Sequence, residues 1–145
     1  MIVILCDGSS KGNPGPASVG VVVWDRSDNP RRIMPTHHWH EDIGKKTNME
    51  AEWEALLSAL SWMFARNNKD DKVSFVYPSQ EVFIFSDSQT VVKQATGVWK
   101  IKHENIKPLY EKFKVFMEGR KNIHINWVPR QLIYLADKAA QKGVK

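Results

Sequence analysis

The sequence predicts an α/β fold in which helices cover both faces of a mixed five-stranded sheet. Three observations carry this. Two strongly apolar runs, Ile2-Val3-Ile4-Leu5-Cys6 and Val82-Phe83-Ile84-Phe85, read as strands buried on both faces. Between them, Trp53, Leu56, Leu57, Leu60, Met63 and Phe64 recur at helical spacing. The remaining strand and helix signals alternate in the order β-β-β-α-β-α-α-β-α, which calls for a layered α/β arrangement.

The first run ends in Asp7 and is followed by a Gly/Ser/Pro-rich stretch, Gly8 to Pro16, read as a turn. Residues 17–26 form the next expected strand, and Asp28-Asn29-Pro30 the turn into a third over 31–40, giving an antiparallel meander. Thr47-Asn48 opens a helix expected over 49–66. Residues 67–72 are polar enough for a loop, and Pro78 argues against a central strand over 74–80. The second apolar run follows, then a short helix over 88–95 ended by Thr96-Gly97, and a longer one over 104–118. Residues 121–128 alternate as a last strand, Pro129 stops it, and a closing helix is expected over 131–142.

A length of 145 residues suits a single domain, 1–145, with one core. No apolar run approaches the roughly 20 residues that span a bilayer, and the N-terminus lacks a basic region and a cleavage site, so a cytoplasmic protein without membrane contact is expected. A monomer is the default. The lone cysteine, Cys6, lies inside an apolar run and reads as a packed core thiol. An excess of 21 basic over 16 acidic residues, net +5, points toward a polyanionic partner.

Both apolar strands end in an acid, Asp7 and Asp87. In open α/β sheets ligands bind outside the carboxyl ends of the strands, so two parallel neighbours would bring these carboxylates together there. Such a pair repels unless a divalent cation joins it. An Asp-Gly pair also starts turns, so Asp7 by itself leaves site and turn equally open. In the expected helix, Glu50, Glu52 and Glu54 are about 200° apart in succession and cannot all face one site. Glu52 lies on the side of Leu56, Ala59 and Met63, the inward side; Glu50 and Glu54 read as acids favoured by the helix dipole. Asp137, within Leu135-Ala136-Asp137-Lys138-Ala139-Ala140, is a fourth candidate. His38 and His40 would share a strand face but lack the partners of a zinc site.

Taken in order, Asp7-Gly8-Ser9, Asn13-Pro14-Gly15-Pro16, Thr47-Asn48, Glu52-Trp53-Glu54-Ala55-Leu56, Ser86-Asp87-Ser88 and Ala136-Asp137 resemble the type 1 ribonuclease H family over nearly the whole chain. The resemblance implies a ribonuclease H-like fold and an endonuclease that hydrolyses the RNA strand of RNA/DNA hybrids, leaving 5′-phosphates. It assigns Asp7, Glu52, Asp87 and Asp137 as catalytic, metal-binding carboxylates for two Mg²⁺ ions, with Mn²⁺ as a substitute. It places Asn13, Asn48 and Gln89 in the minor groove of the hybrid, and Gly8, Ser9 and Ser10 at RNA sugars, whose 2′-hydroxyls distinguish RNA from DNA. Trp99, Lys100 and Lys102 would meet the DNA backbone, and Arg130 would neutralise a phosphate near the metals.

The chain departs from the family's pattern in four places. Met49 stands where a second Asn is common. The basic protrusion of many bacterial members is missing, which makes this the compact form. No His lies between Ile125 and Lys145, where those members place one in a mobile loop, and the stretch Leu132-Ile133-Tyr134-Leu135 is more apolar than the family's usual loop.

Overall fold

The computed structural model describes residues 1–69, 80–134 and 138. Five strands and three helices are built from them: β1 (Ile2–Ser10), β2 (Gly15–Asp25), β3 (His37–Lys46), α1 (Asn48–Lys69), β4 (Val82–Ser86), α2 (Gln89–Ala95), α3 (Lys107–Met117) and β5 (Ile123–Trp127). A 3₁₀ turn, Arg130–Ile133, follows β5. The sheet order is β3-β2-β1-β4-β5, with β1–β2 and β2–β3 antiparallel and β1–β4 and β4–β5 parallel. The expected mixed sheet is therefore present, and the two apolar runs lie side by side in register, Leu5 opposite Phe85.

Alternation along the strands decides which side chains meet the helices. Ile2, Ile4 and Cys6 of β1 and Val19, Val21 and Val23 of β2 face α1, where Trp53, Leu56, Leu60 and Met63 are buried against them. Val91 of α2 and Leu109 and Phe113 of α3 join the same core. On the opposite face Val22 packs with Ile133 of the 3₁₀ turn, flanked by Leu5, Trp24 and Val128. No helix of the described residues is long and apolar enough to cross a membrane.

Several boundaries differ from expectation, each for a local reason. β1 continues through Gly8, Ser9 and Ser10, read as a turn, because these residues pair with Val19, Ser18 and Ala17. β3 begins six residues later than expected. Residues 27–36 form a loop closed by the Asp28–Arg32 ion pair at 3.0 Å and by Trp24 Nε1 donating to Ile33 O at 2.9 Å. Pro35 has no N–H for a ladder, and pairing starts only after Thr36 N–H reaches Val23 O. The polar residues 67–69, assigned to a loop, extend α1 instead. α3 starts at Lys107, since Pro108 fits only the first turn of a helix. Residues 131–133, expected as the start of the closing helix, belong instead to the 3₁₀ turn. Residues 70–72 of the expected loop, 74–79 of the connection after it, and the closing helix beyond Tyr134, Asp137 included but Lys138 excepted, lie outside the described residues.

Candidate active site

Three elements converge at the carboxyl end of the central strand pair. Asp7 and Asp87 each stand two residues past the aligned pair Leu5–Phe85, so the parallel register carries both acids to one edge of the sheet. α1 supplies the third, Glu52, through a close backbone approach. A Cβ added to Gly8 would lie 2.1 Å from the carbonyl carbon and oxygen of Ala51 and 2.5 Å from the amide nitrogen of Glu52. Only glycine lets the helix cross the strand this tightly. One carboxylate oxygen from each of Asp7, Glu52 and Asp87 lies within 4.8 Å of the others.

Capping bonds hold these elements in place. Thr47 and Glu50 form a reciprocal box at the start of α1: Glu50 N–H donates to Thr47 Oγ1 at 3.1 Å, and Thr47 N–H donates to Glu50 Oε1 at 2.9 Å. The Thr47 amide is the main reason Glu50 is held below the usual carboxylate range. Asn48 N–H donates to Asn13 Oδ1 at 3.0 Å, tying the β1–β2 loop to the same helix end. At α2, Ser88 Oγ accepts from Val91 N–H at 3.2 Å, and Ser86 Oγ accepts from Ser88 N–H at 3.1 Å. Trp127 Nε1 donates to Asp87 O at 3.1 Å, fixing the last turn of backbone before α2 to the end of β5.

The electrostatics of the cluster are those of anions gathered at the edge of a core. Asp7 is only 4% exposed. Burial pushes Glu52 up to about 7; its hydrogen bond with Ser88 opposes this, the Asp87 charge adds to it, and the Arg130 charge opposes it. Oδ1 of Asp87 is buried without a hydrogen-bond partner, while its Oδ2 is 4.0 Å from Arg130 Nη1. An orphaned carboxylate oxygen beside two further carboxylates is a donor set of hard oxygens, the chemistry that suits Mg²⁺ or a similar divalent cation. Cys6, directly beneath, contributes no nucleophile. Burial and the neighbouring carboxylates Asp7, Asp87 and Glu52 raise its thiol far above the usual range, and its Sγ–H points to Phe85 O.

The other residues singled out from sequence are distributed around this cluster. Gly8 is a packing contact for α1, and Ser9 follows it in β1, half-buried opposite Ser18. The Ser10 hydroxyl lies within hydrogen-bond distance of Lys46 O (2.9 Å) and Gly12 O (2.5 Å), so it braces the loop against β3. Asn13, Asn48 and Gln89 are exposed, the last two as the first residues of α1 and α2. Trp99 is exposed with Lys93 Nζ 4.5 Å from its ring centre, and Lys100 and Lys102 extend from the same loop into solvent. Arg130 is 70% exposed at the rim of the cluster. Asp137 lies outside the described residues. A groove of about 230 Å³ lined by Asn13, Thr47, His103 and Asn105 runs along the start of α1.

Sequence reasoning missed the parts played by Ser88 and Trp127. A Ser just ahead of a helix is a readable cap signal. The indole of Trp127 reaches Asp87 across strands forty residues apart in the chain, which no local pattern reveals.

Comparison with known proteins adds an independent line. A family model described as reverse transcriptase-like matches residues 5–143. The bifunctional protein Rv2228c of Mycobacterium tuberculosis is 34% identical over 143 residues, which is 99% of this chain and 35% of that protein. The chain thus spans about a third of the length of the mycobacterial relatives it matches. Among solved structures, LC11-RNase H1 in complex with an RNA/DNA hybrid superposes with a TM-score of 0.81 at 33% identity, covering 98% of this chain and 95% of that one. RNase H1 from the halophilic archaeon Halobacterium salinarum superposes with a TM-score of 0.79 at 29% identity, covering 99% and 96%.

Proposed function

The chain belongs to the type 1 ribonuclease H family, and from that premise we propose that it is a divalent-metal-dependent endonuclease cutting the RNA strand of RNA/DNA hybrids. The observation that carries the reading is the meeting of Asp7, Glu52 and Asp87 within 4.8 Å, with one buried oxygen of Asp87 left without a partner. Pure nucleic-acid binding gains nothing from such a cluster, since without a cation it repels the phosphate backbone.

In this reading Asp7, Glu52 and Asp87 hold the cations, and Asp137 completes the set. Held there, two Mg²⁺ ions, or Mn²⁺ in their place, would supply activation of water for in-line attack and neutralisation of charge on the leaving 3′ oxygen, giving a product with a 5′-phosphate. The chain's own residues do the positioning. Ser88 orients the Glu52 carboxylate through its hydrogen bond. Arg130, exposed and beside Asp87, offers a permanent cation to the phosphate being cut. Asn13, Asn48 and Gln89 present amides from the loop and the two helix starts to the minor groove, beside Gly8, Ser9 and Ser10 at the ribose hydroxyls. Trp99, Lys100 and Lys102 hold the DNA strand, with Lys93 sharing the Trp99 face. The enzyme acts as a monomer.

The test is incubation with Mg²⁺ and end-labelled RNA/DNA hybrid, duplex RNA, duplex DNA and single strands. Internal cuts in the RNA of the hybrid, ending in 5′-phosphates, are expected. Cleavage of duplex DNA, or hybrid binding with no cleavage, overturns the reading.

A further inference from the structure

Adjacent residues of α1 grip opposite ends of α2. Glu52 shares a hydrogen bond with Ser88, the N-cap of α2. Trp53, the next residue, donates its indole Nε1–H to Oε1 of Gln94 in the last turn of α2, at 2.9 Å and in a fully buried setting. Trp53 is wholly buried, and its ring meets Tyr110 and Phe113 of α3 edge-on, with centroids 6.1 Å and 5.7 Å away. The indole therefore has one orientation available, and the position of Gln94 is set by it. Gln94 is itself buried, on a seven-residue helix whose N-terminal boundary is Asp87-Ser88.

From this we infer that Trp53 and Gln94 are a positioning pair that fixes α2 against α1 so that Glu52 and Asp87 can share a cation. Neither residue touches the site. Their effect travels through two rigid pieces: Trp53 is bonded directly to Glu52 along α1, and Gln94 reaches Asp87 through the two turns of α2. An indole packed by rings alone could slide along its groove; the hydrogen bond gives the packing a register, because a buried N–H and a buried amide oxygen are costly in every arrangement that separates them. The inference rests on the metal-site reading above, and it names residues of the core that determine how well that site binds.

Two substitutions separate this role from a contribution to stability. Trp53→Phe keeps a buried ring but strands the Gln94 oxygen, so both folding and metal binding suffer. The double variant Trp53→Phe/Gln94→Leu removes both polar partners, so it recovers the cost of the stranded amide and keeps only the cost of the smaller ring. The experiment measures the melting temperature without divalent cations, the affinity for Mn²⁺ and Mg²⁺ by calorimetry without nucleic acid, and kcat and KM on a hybrid. The expected result is that the double variant melts above Trp53→Phe yet binds metal no better than it does, roughly 10-fold more weakly than the parent, with kcat reduced and KM for the hybrid unchanged at fixed metal. A double variant with parental metal affinity and parental kcat overturns the inference. If the parent protein itself binds divalent cations without cutting hybrid, it is the proposed activity that fails, while the affinity comparison still decides the role of the pair.

Discussion

The outer and inner sides of the first turns of α1 carry the same side chain to opposite ends. Glu50, on the outer side, closes a capping box with Thr47, and the backbone amide it accepts from favours its charge. Glu52, two residues on, turns inward to Ser88 and Asp87, and burial there makes its charge hard to keep. A carboxylate on the outer side stabilises the helix it belongs to. The inner one weakens the fold when it is charged, and it stands in the cluster that could hold a cation. Helical rotation over two residues is enough to separate a structural acid from a candidate catalytic one.

The strongest way to break this contrast is to exchange the two sides. Glu52→Gln or Asp87→Asn is expected to abolish cleavage of a labelled hybrid in Mg²⁺, whereas Glu50→Gln leaves the turnover rate close to that of the parent. Equal losses at positions 50 and 52 would remove the distinction. Next in size is Gly8→Ala. Its Cβ would overlap the Ala51 carbonyl, so α1 must move off β1; a destabilisation of about 1–3 kcal/mol or more in urea titration is expected, together with loss of metal binding. A parental melting curve and full activity would show that the helix has room to give.

A pH series sharpens the contrast through its sign. The folded state holds the Glu52 proton up to about pH 7, against 4.5 for the ordinary group. Stability from this group is full below pH 4.5 and is lost as pH rises toward and through 7, because the folded state then binds more protons than the unfolded one. The metal-free protein should therefore lose a few degrees of melting temperature between pH 5 and 8, and Glu52→Gln should flatten that slope. Mg²⁺ should raise the melting temperature more at pH 8 than at pH 5, since it competes with the proton. Glu50 has the reverse sign: its pKa is lowered, so its contribution is present above pH 4.5 and lost on acidification. The smallest effect expected is that of Glu50→Gln at neutral pH, about 1 kcal/mol or less of stability, because Gln also completes a capping box.

Much of this site can be read from the residues themselves. Two apolar runs that both end in Asp are an unusual pattern, and the parallel pairing of β1 and β4 brings those acids together for the reason the pattern suggests. The inward side of α1 follows from helical spacing. Other features have no local signal. β3 is an edge strand whose side chains are largely solvated, with a bulge opposite Ala17 and Ser18 and a positive φ at Gly44; only Trp39 and Ile43 face the core, too sparse a period to fix its limits. The Asp-Asn-Pro turn therefore drew the expected strand six residues too early. Gly8 reads from sequence as part of a substrate loop, while its packing against Ala51 depends on a helix more than forty residues downstream.

β1 is the middle strand of five, paired along both edges. Strands so placed exchange their amide hydrogens only when the whole domain opens, whereas edges and terminal turns open on their own. Asp7 thus rides on the segment that is last to let go, whereas Arg130 opens a short 3₁₀ turn and its side chain is 70% exposed. Warming the protein should release the rim cation into local fluctuation well before the carboxylates part. Activity would then fade by loss of phosphate neutralisation first, and the carboxylate cluster would disperse only with the fold itself.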